Sequence, residues 1–206
     1  MKLYITPGSP YARMARIVVL EKKLEKRVEV IVAQTRTADS PYYRINPSGR
    51  VPCLVRDDGS VLEESALICD WLDQLDGRPV LRVPESMLAW DQRRLEALAR
   101  SMVDGLAVWG RELARPRGEQ SPGILEHEAA RMRRMADAWE EREIGNALVH
   151  SPLNMPQITL ACGLGMEARN ASLDWRSGHP RLAAWFDAIA VRPSLAATAP
   201  PQAPRA

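Results

Sequence analysis

The chain has 206 residues, 46% of them hydrophobic and 26% charged, with a formal net charge of +2. That length suits one large domain or two small ones with core enough to fold unstapled. The balanced charge carries no basic excess for nucleic acid, and no run approaches the ~20 apolar residues of a membrane span.

Three cysteines, Cys53, Cys69 and Cys162, lie far apart with no CxxC pair. This usage fits reduced thiols in the cytoplasm. His127, His150 and His179 lack metal-ligand spacing, so no metal is expected. Thr6-Pro7-Gly8 interrupts the early apolar run, which argues against a signal peptide.

Lys2 to Thr6 reads as a short strand. Ser9-Pro10 follows as helix N-cap and first helical position, and the helical pattern runs from Met14 to Leu24. Arg27 to Ala33, rich in β-branched residues, is a second strand. Thr35 to Pro47 is polar and broken, with a helical turn expected at Pro41 to Arg44. Cys53–Arg56 and Ser60–Leu62 flank Asp57-Asp58-Gly59, a hairpin signature. Glu64 to Leu75 reads as a helix with Leu67, Ile68, Trp71, Leu72 and Leu75 on one face. The order β-α-β-(α)-β-β-α predicts a mixed four-stranded sheet with helices packed on it.

A linker is expected at 78–85, dividing a unit at 1–77 from an all-helical unit at 86–206. In the second unit, Leu88, Leu95, Leu98, Met102, Leu106, Trp109 and Leu113 predict a long amphipathic helix. Leu125 to Trp139 gives another, broken at Ser151-Pro152. Met155 to Met166 is apolar enough to be buried on all sides, and Pro180 to Val191 makes one more helix. The proline-rich tail, Ala199 to Ala206, reads as frayed. Trp90, Met102, Trp109 and Met135 stand at helical spacing, which marks core before it marks a pocket.

Three stretches, "SPYARMARIVVLEKKLE", "NPSGRVPCLVRDDGSVLEESALICDWLD" and "HPRLAAWFDAIAVRPS", together resemble the glutathione transferase family over nearly the whole chain. The resemblance implies an α/β thioredoxin-like N-terminal domain, an all-α C-terminal domain and a homodimer. It implies glutathione as co-substrate and a role in detoxification, with the thiolate attacking a small electrophile.

The resemblance also implies a cis bond at Val51-Pro52, leaving the Val51 backbone to pair with an extended peptide. Glu64-Ser65 opens a helix, whose N-terminus favours an anion. Ser65 would grip the γ-glutamyl carboxylate and Glu64 its ammonium. For Ser9 two roles stand side by side. As N-cap it is worth about 1 kcal/mol. As a hydroxyl donor it would stabilise the glutathione thiolate, whose free thiol has a pKa near ~8.5. Tyr4, Thr6 and Tyr11 are rivals for that contact. Arg13 and Arg50 are candidates for the glycyl carboxylate, though each is more often a solvated surface arginine. Cys53 reads as a small core thiol.

Two other functions fit the same family. One is a non-catalytic protein acting through a protein partner. The other is a glutathione-dependent isomerase or peroxidase on the same site. One departure from the family pattern is Asn154-Met-Pro-Gln157, where relatives place Ser or Thr followed by Asp. A capping box survives that change.

Overall fold

The computed structural model describes residues 1–82, 86–170 and 172–202. Residues 83–85 of the expected linker and 203–206 of the tail lie outside this description. The chain forms two compact units, one from Met1–Val80 with Ala197–Pro200, the other from Leu81–Ala196.

In the first unit, β1 (Lys2–Ile5) buries Leu3 and Ile5 in alternation. It pairs in parallel with β2 (Glu29–Val32) through the crossover helix α1 (Pro10–Glu21). β1 also pairs antiparallel with β3 (Cys53–Val55), and β3 with β4 (Val61–Glu63), giving the order β2-β1-β3-β4. The expected mixed sheet is present. The β3–β4 turn closes through Gly59 at φ +81, a conformation costly to a side chain. Pro41–Arg44 forms a single 3-10 turn.

Helix α1 starts at the expected cap but ends at Glu21, before the predicted Leu24. Lys23 adopts φ 53 and stops it, and Leu24 packs into the core after the break. Helix α2 (Ser65–Gln74) packs on α1 with Ile68, Cys69 and Leu72 buried. Leu67, predicted on the same face, is 51% exposed instead. The apolar stripe of α2 is therefore wider than the surface that α1 and the sheet cover.

The second unit contains α3 (Met87–Leu113), α4 (Pro122–Ala138), α5 (Ala147–His150), α6 (Met155–Leu164), α7 (Pro180–Ala190) and all but the last residue of α8 (Pro193–Ala197). Helix α6 is buried along its whole length and packs on α3. Its Asn154–Gln157 capping box is complete: Gln157 N–H donates to Asn154 Oδ1 at 3.2 Å and Asn154 N–H to Gln157 Oε1 at 3.1 Å. Met102 and Trp109 are core, whereas Trp90 is 61% exposed.

The predicted second long helix changes character before its expected end. After Ala138 the backbone widens into a π turn at Trp139–Glu143. Its Glu140 carboxylate accepts the N–H groups of Arg181 and Leu182, at 3.1 and 2.8 Å. A side chain distant in sequence thus caps α7, whose own N-cap residue, His179, makes no cap bond. Among the described residues no helix is long and apolar enough to cross a membrane.

Candidate functional site

The strand registers determine which loops meet. Tyr4 pairs with Cys53, and Cys53 pairs with Glu63, so one row of residues crosses β1, β3 and β4. β1 and β4 run away from that row in the same direction, and β3 enters from it. The segments just beyond it are Thr6–Ser9, Val51-Pro52 and Glu64-Ser65. All three therefore leave the sheet at one end.

Ser9 is the N-cap of α1, and its Oγ accepts the Ala12 N–H at 3.2 Å. As acceptor in that bond, the hydroxyl still has its proton to donate. The Thr6 carbonyl takes the Ser9 N–H at 3.1 Å, which tightens the turn between β1 and α1. Tyr4 is half-buried, its ring 5.5 Å from that of Tyr42, in a cluster with Ala33, Cys53 and Val51. Tyr11 is half-buried in the first turn of α1.

Val51-Pro52 is a cis bond, and Val51 lies beyond the last β1–β3 register pair. Glu64 is exposed and sits at φ 75, ψ 117, a backbone conformation strained for any side chain. It is the N-cap residue of α2, yet makes no side-chain cap bond. By contrast α1, α3, α4 and α6 are capped by Ser9, Ser86, Ser121 and Asn154. Ser65 is buried, and its Oγ donates to Glu64 Oε1 at 3.3 Å.

The two arginines part company. Arg50 is exposed beside Val51. Arg13 is buried, against the reading of a solvated surface residue, with its Nε 3.5 Å from Thr198 Oγ1. Thr198 is also buried and belongs to the Ala197–Pro200 segment that joins the first unit.

Asn46, Ser48 and Tyr42 were not singled out from sequence, and they organise the loop before Val51. Tyr42 Oη and Asn46 Nδ2 both donate to the Arg50 carbonyl, the latter at 3.1 Å. Asn46 Oδ1 accepts the Ser48 N–H at 3.2 Å, and the Ser48 hydroxyl donates to Glu63 on β4 at 2.7 Å. Gly49 turns the chain at φ +66, where a Cβ would come within 2.9 Å of the Tyr43 ring. The Asn-Pro-Ser-Gly run at 46–49 is a turn signature. What the turn holds in place needs the structure.

Burial pushes both the Tyr42 hydroxyl and the Cys53 thiol up from their ordinary values, with the nearby Glu63 charge adding to each. Cys53 therefore stays protonated and inert beside the site. Among the described residues no group of three or more His, Cys, Asp or Glu side chains gathers to hold a metal.

Comparison with known proteins identifies the family. Residues 8–75 match the family model for the glutathione S-transferase N-terminal domain. A glutathione transferase family member from Pseudomonas fluorescens, solved with bound S-(propanoic acid)-glutathione, superposes with a TM-score of 0.85. It is 34% identical, over 98% of this chain and 100% of that one. A second structure of a P. fluorescens family member, with bound glutathione, gives a TM-score of 0.87 at 33% identity, covering 97% and 98% of the two chains. The uncharacterized GST-like protein YibF of Escherichia coli is 29% identical over 98% of this chain and 100% of its own length. A sheet whose register brings Ser9, Val51 and Ser65 to one end, within a chain this similar from end to end, belongs to the glutathione transferase family.

Proposed function

We propose that the chain is a glutathione transferase, with glutathione lying across the open end of the sheet. The observation that carries this reading is the Tyr4–Cys53–Glu63 row. It spreads the three segments over two inter-strand spacings, about 10 Å. An extended tripeptide has the same reach, about 10 Å.

In this arrangement the Val51 backbone pairs with the cysteinyl residue, with Pro52 fixing the bend. The γ-glutamyl carboxylate sits on the N-terminus of α2 and takes the Ser65 O–H, which turns from Glu64 to reach it, and Glu64 meets the ammonium. The start of α2 supports this, because its N-cap residue, Glu64, makes no side-chain cap bond and the helix N-terminus favours an anion. Arg50 meets the glycyl carboxylate. Ser9 donates its O–H to the sulfur, and the positive end of α1 adds to the stabilisation of the thiolate. Tyr11, in the first turn of α1, borders the sulfur. The thiolate attacks a small electrophile, a sulfur–carbon bond forms, and any leaving group departs with its electron pair. Holding both reactants together supplies part of the rate. No step uses a metal.

An S-substituted glutathione in the P. fluorescens relative supports transfer over an isomerase or peroxidase reaction. Three buried thiols support a reducing, cytoplasmic setting, where conjugation serves detoxification. Exposed Leu67 on one unit, and Met87 at 80% and Trp90 on the other, support a homodimer that covers apolar surface.

The test is calorimetry with glutathione on wild type and Ser65→Ala, with an ultraviolet scan for thiolate. Binding weakened in the variant, with thiolate present near neutral pH, is expected. No binding at millimolar glutathione would remove every glutathione-dependent reading and leave the protein-partner role.

A further inference from the structure

The Arg50 carbonyl accepts two side-chain hydrogen bonds, from Tyr42 Oη and Asn46 Nδ2. Both lone pairs of that oxygen are therefore used. Both donors are buried, and both are held from behind. Tyr42 packs against Tyr4 and Cys53, while Asn46 takes the Ser48 N–H on its other atom. Ser48 is in turn tied to Glu63 on β4.

The peptide joining Arg50 to Val51 is trans, and in a trans peptide the C=O and the next N–H point in opposite directions. Pinning the Arg50 oxygen toward Tyr42 and Asn46 therefore turns the Val51 N–H away from them. Rotating that peptide plane would break two hydrogen bonds and leave two buried donors unsatisfied. We propose that Tyr42 and Asn46 are positioning residues that aim the Val51 N–H outward as a fixed donor for the backbone of a bound peptide. This rests on the reading of the site as a glutathione site. The clamp sets affinity and does not touch the sulfur, so it acts on ground state and transition state alike.

Tyr42→Phe removes one donor without changing shape. Asn46→Asp keeps the acceptor for Ser48 and replaces the second donor with an oxygen. Each should raise the glutathione dissociation constant about fivefold, the worth of one hydrogen bond. KM for glutathione should rise in step while kcat holds. The apparent pKa of bound glutathione, read from thiolate absorbance, should not move. Protection of the Val51 amide from hydrogen exchange on binding should fall in both variants. A role in stability alone would lower the melting temperature and leave affinity and Val51 protection as in wild type, and that result overturns the clamp. Wild-type protein that binds no glutathione overturns the parent reading and the clamp with it. Wild type that binds, beside variants that bind equally well, overturns the clamp alone.

Discussion

Lys22 and Asp73 face each other at 3.4 Å with side chains only 3% and 2% exposed, one at the end of α1 and the other in the last turn of α2. The same ammonium reaches Asp76 at 2.9 Å and the Arg78 carbonyl, and Asp73 accepts the Val80 N–H at 3.1 Å. One buried cation thus joins both helices to the segment that follows them. Lys22→Met removes the counter-ion from a buried carboxylate and should cost about 3–5 kcal/mol in urea unfolding. Lys22→Met/Asp73→Leu should recover most of that loss. A single-variant cost below about 1 kcal/mol would mean that the pair is solvated in solution.

Glu64 combines a strained backbone with a carboxylate at the candidate site. The two can be separated. Glu64→Gly removes both, so stability should rise by about 1 kcal/mol while glutathione affinity falls tenfold or so. Glu64→Ala keeps the strain, so it should lose affinity without gaining stability. Equal melting temperatures for the two variants would show that the positive φ stores no energy.

Ser9 carries a cap and a proposed catalytic hydrogen bond, and two substitutions divide them. Ser9→Gly costs only a few tenths of a kcal/mol as a cap, whereas Ser9→Ala costs about 1 kcal/mol. Both should lose the thiolate absorbance of bound glutathione at pH 7, and the midpoint of its appearance should move to higher pH. Absorbance that survives in Ser9→Gly would pass the role to Thr6, Tyr4 or Tyr11.

Cys53 and Tyr42 hold their protons more tightly in the folded chain than in the unfolded one, mainly through burial. An unfolded chain releases them near pH ~8.5 and ~10 respectively. Their contribution to stability is complete below about pH 8 and is lost as pH rises through those values. Denaturant unfolding should show a decline beginning near pH 8.5, and Cys53→Ala should delay its onset by about one pH unit. A wild-type curve flat to about pH 10.5 would contradict this.

What the sequence made legible was local grammar. Ser9-Pro10, Asp57-Asp58-Gly59 and Asn154–Gln157 act within a few residues of themselves, and each forms as read. What stayed hidden depends on residues far apart in the chain. Glu140 caps a helix some forty residues away, a partnership no window of sequence displays. Arg13 reads as surface, but it folds against Thr198, 185 residues away. Leu67 fits the apolar period of α2, but periodicity cannot say how wide a neighbour's cover will be. The site divided along the same line. Val51-Pro52 and Glu64-Ser65 stood out as motifs, while the Tyr42–Asn46 grip on Arg50 depends on a tertiary contact.

Glu64 makes no side-chain cap bond to α2, and in the proposed function the γ-glutamyl carboxylate takes that place. A helix start that binds an anion is steadied by it beyond the order it has alone. Occupancy and local order become one equilibrium, and a saturating ligand adds its binding free energy to the unit that holds it. On that reading, the concentration of glutathione sets how firmly the binding surface is held.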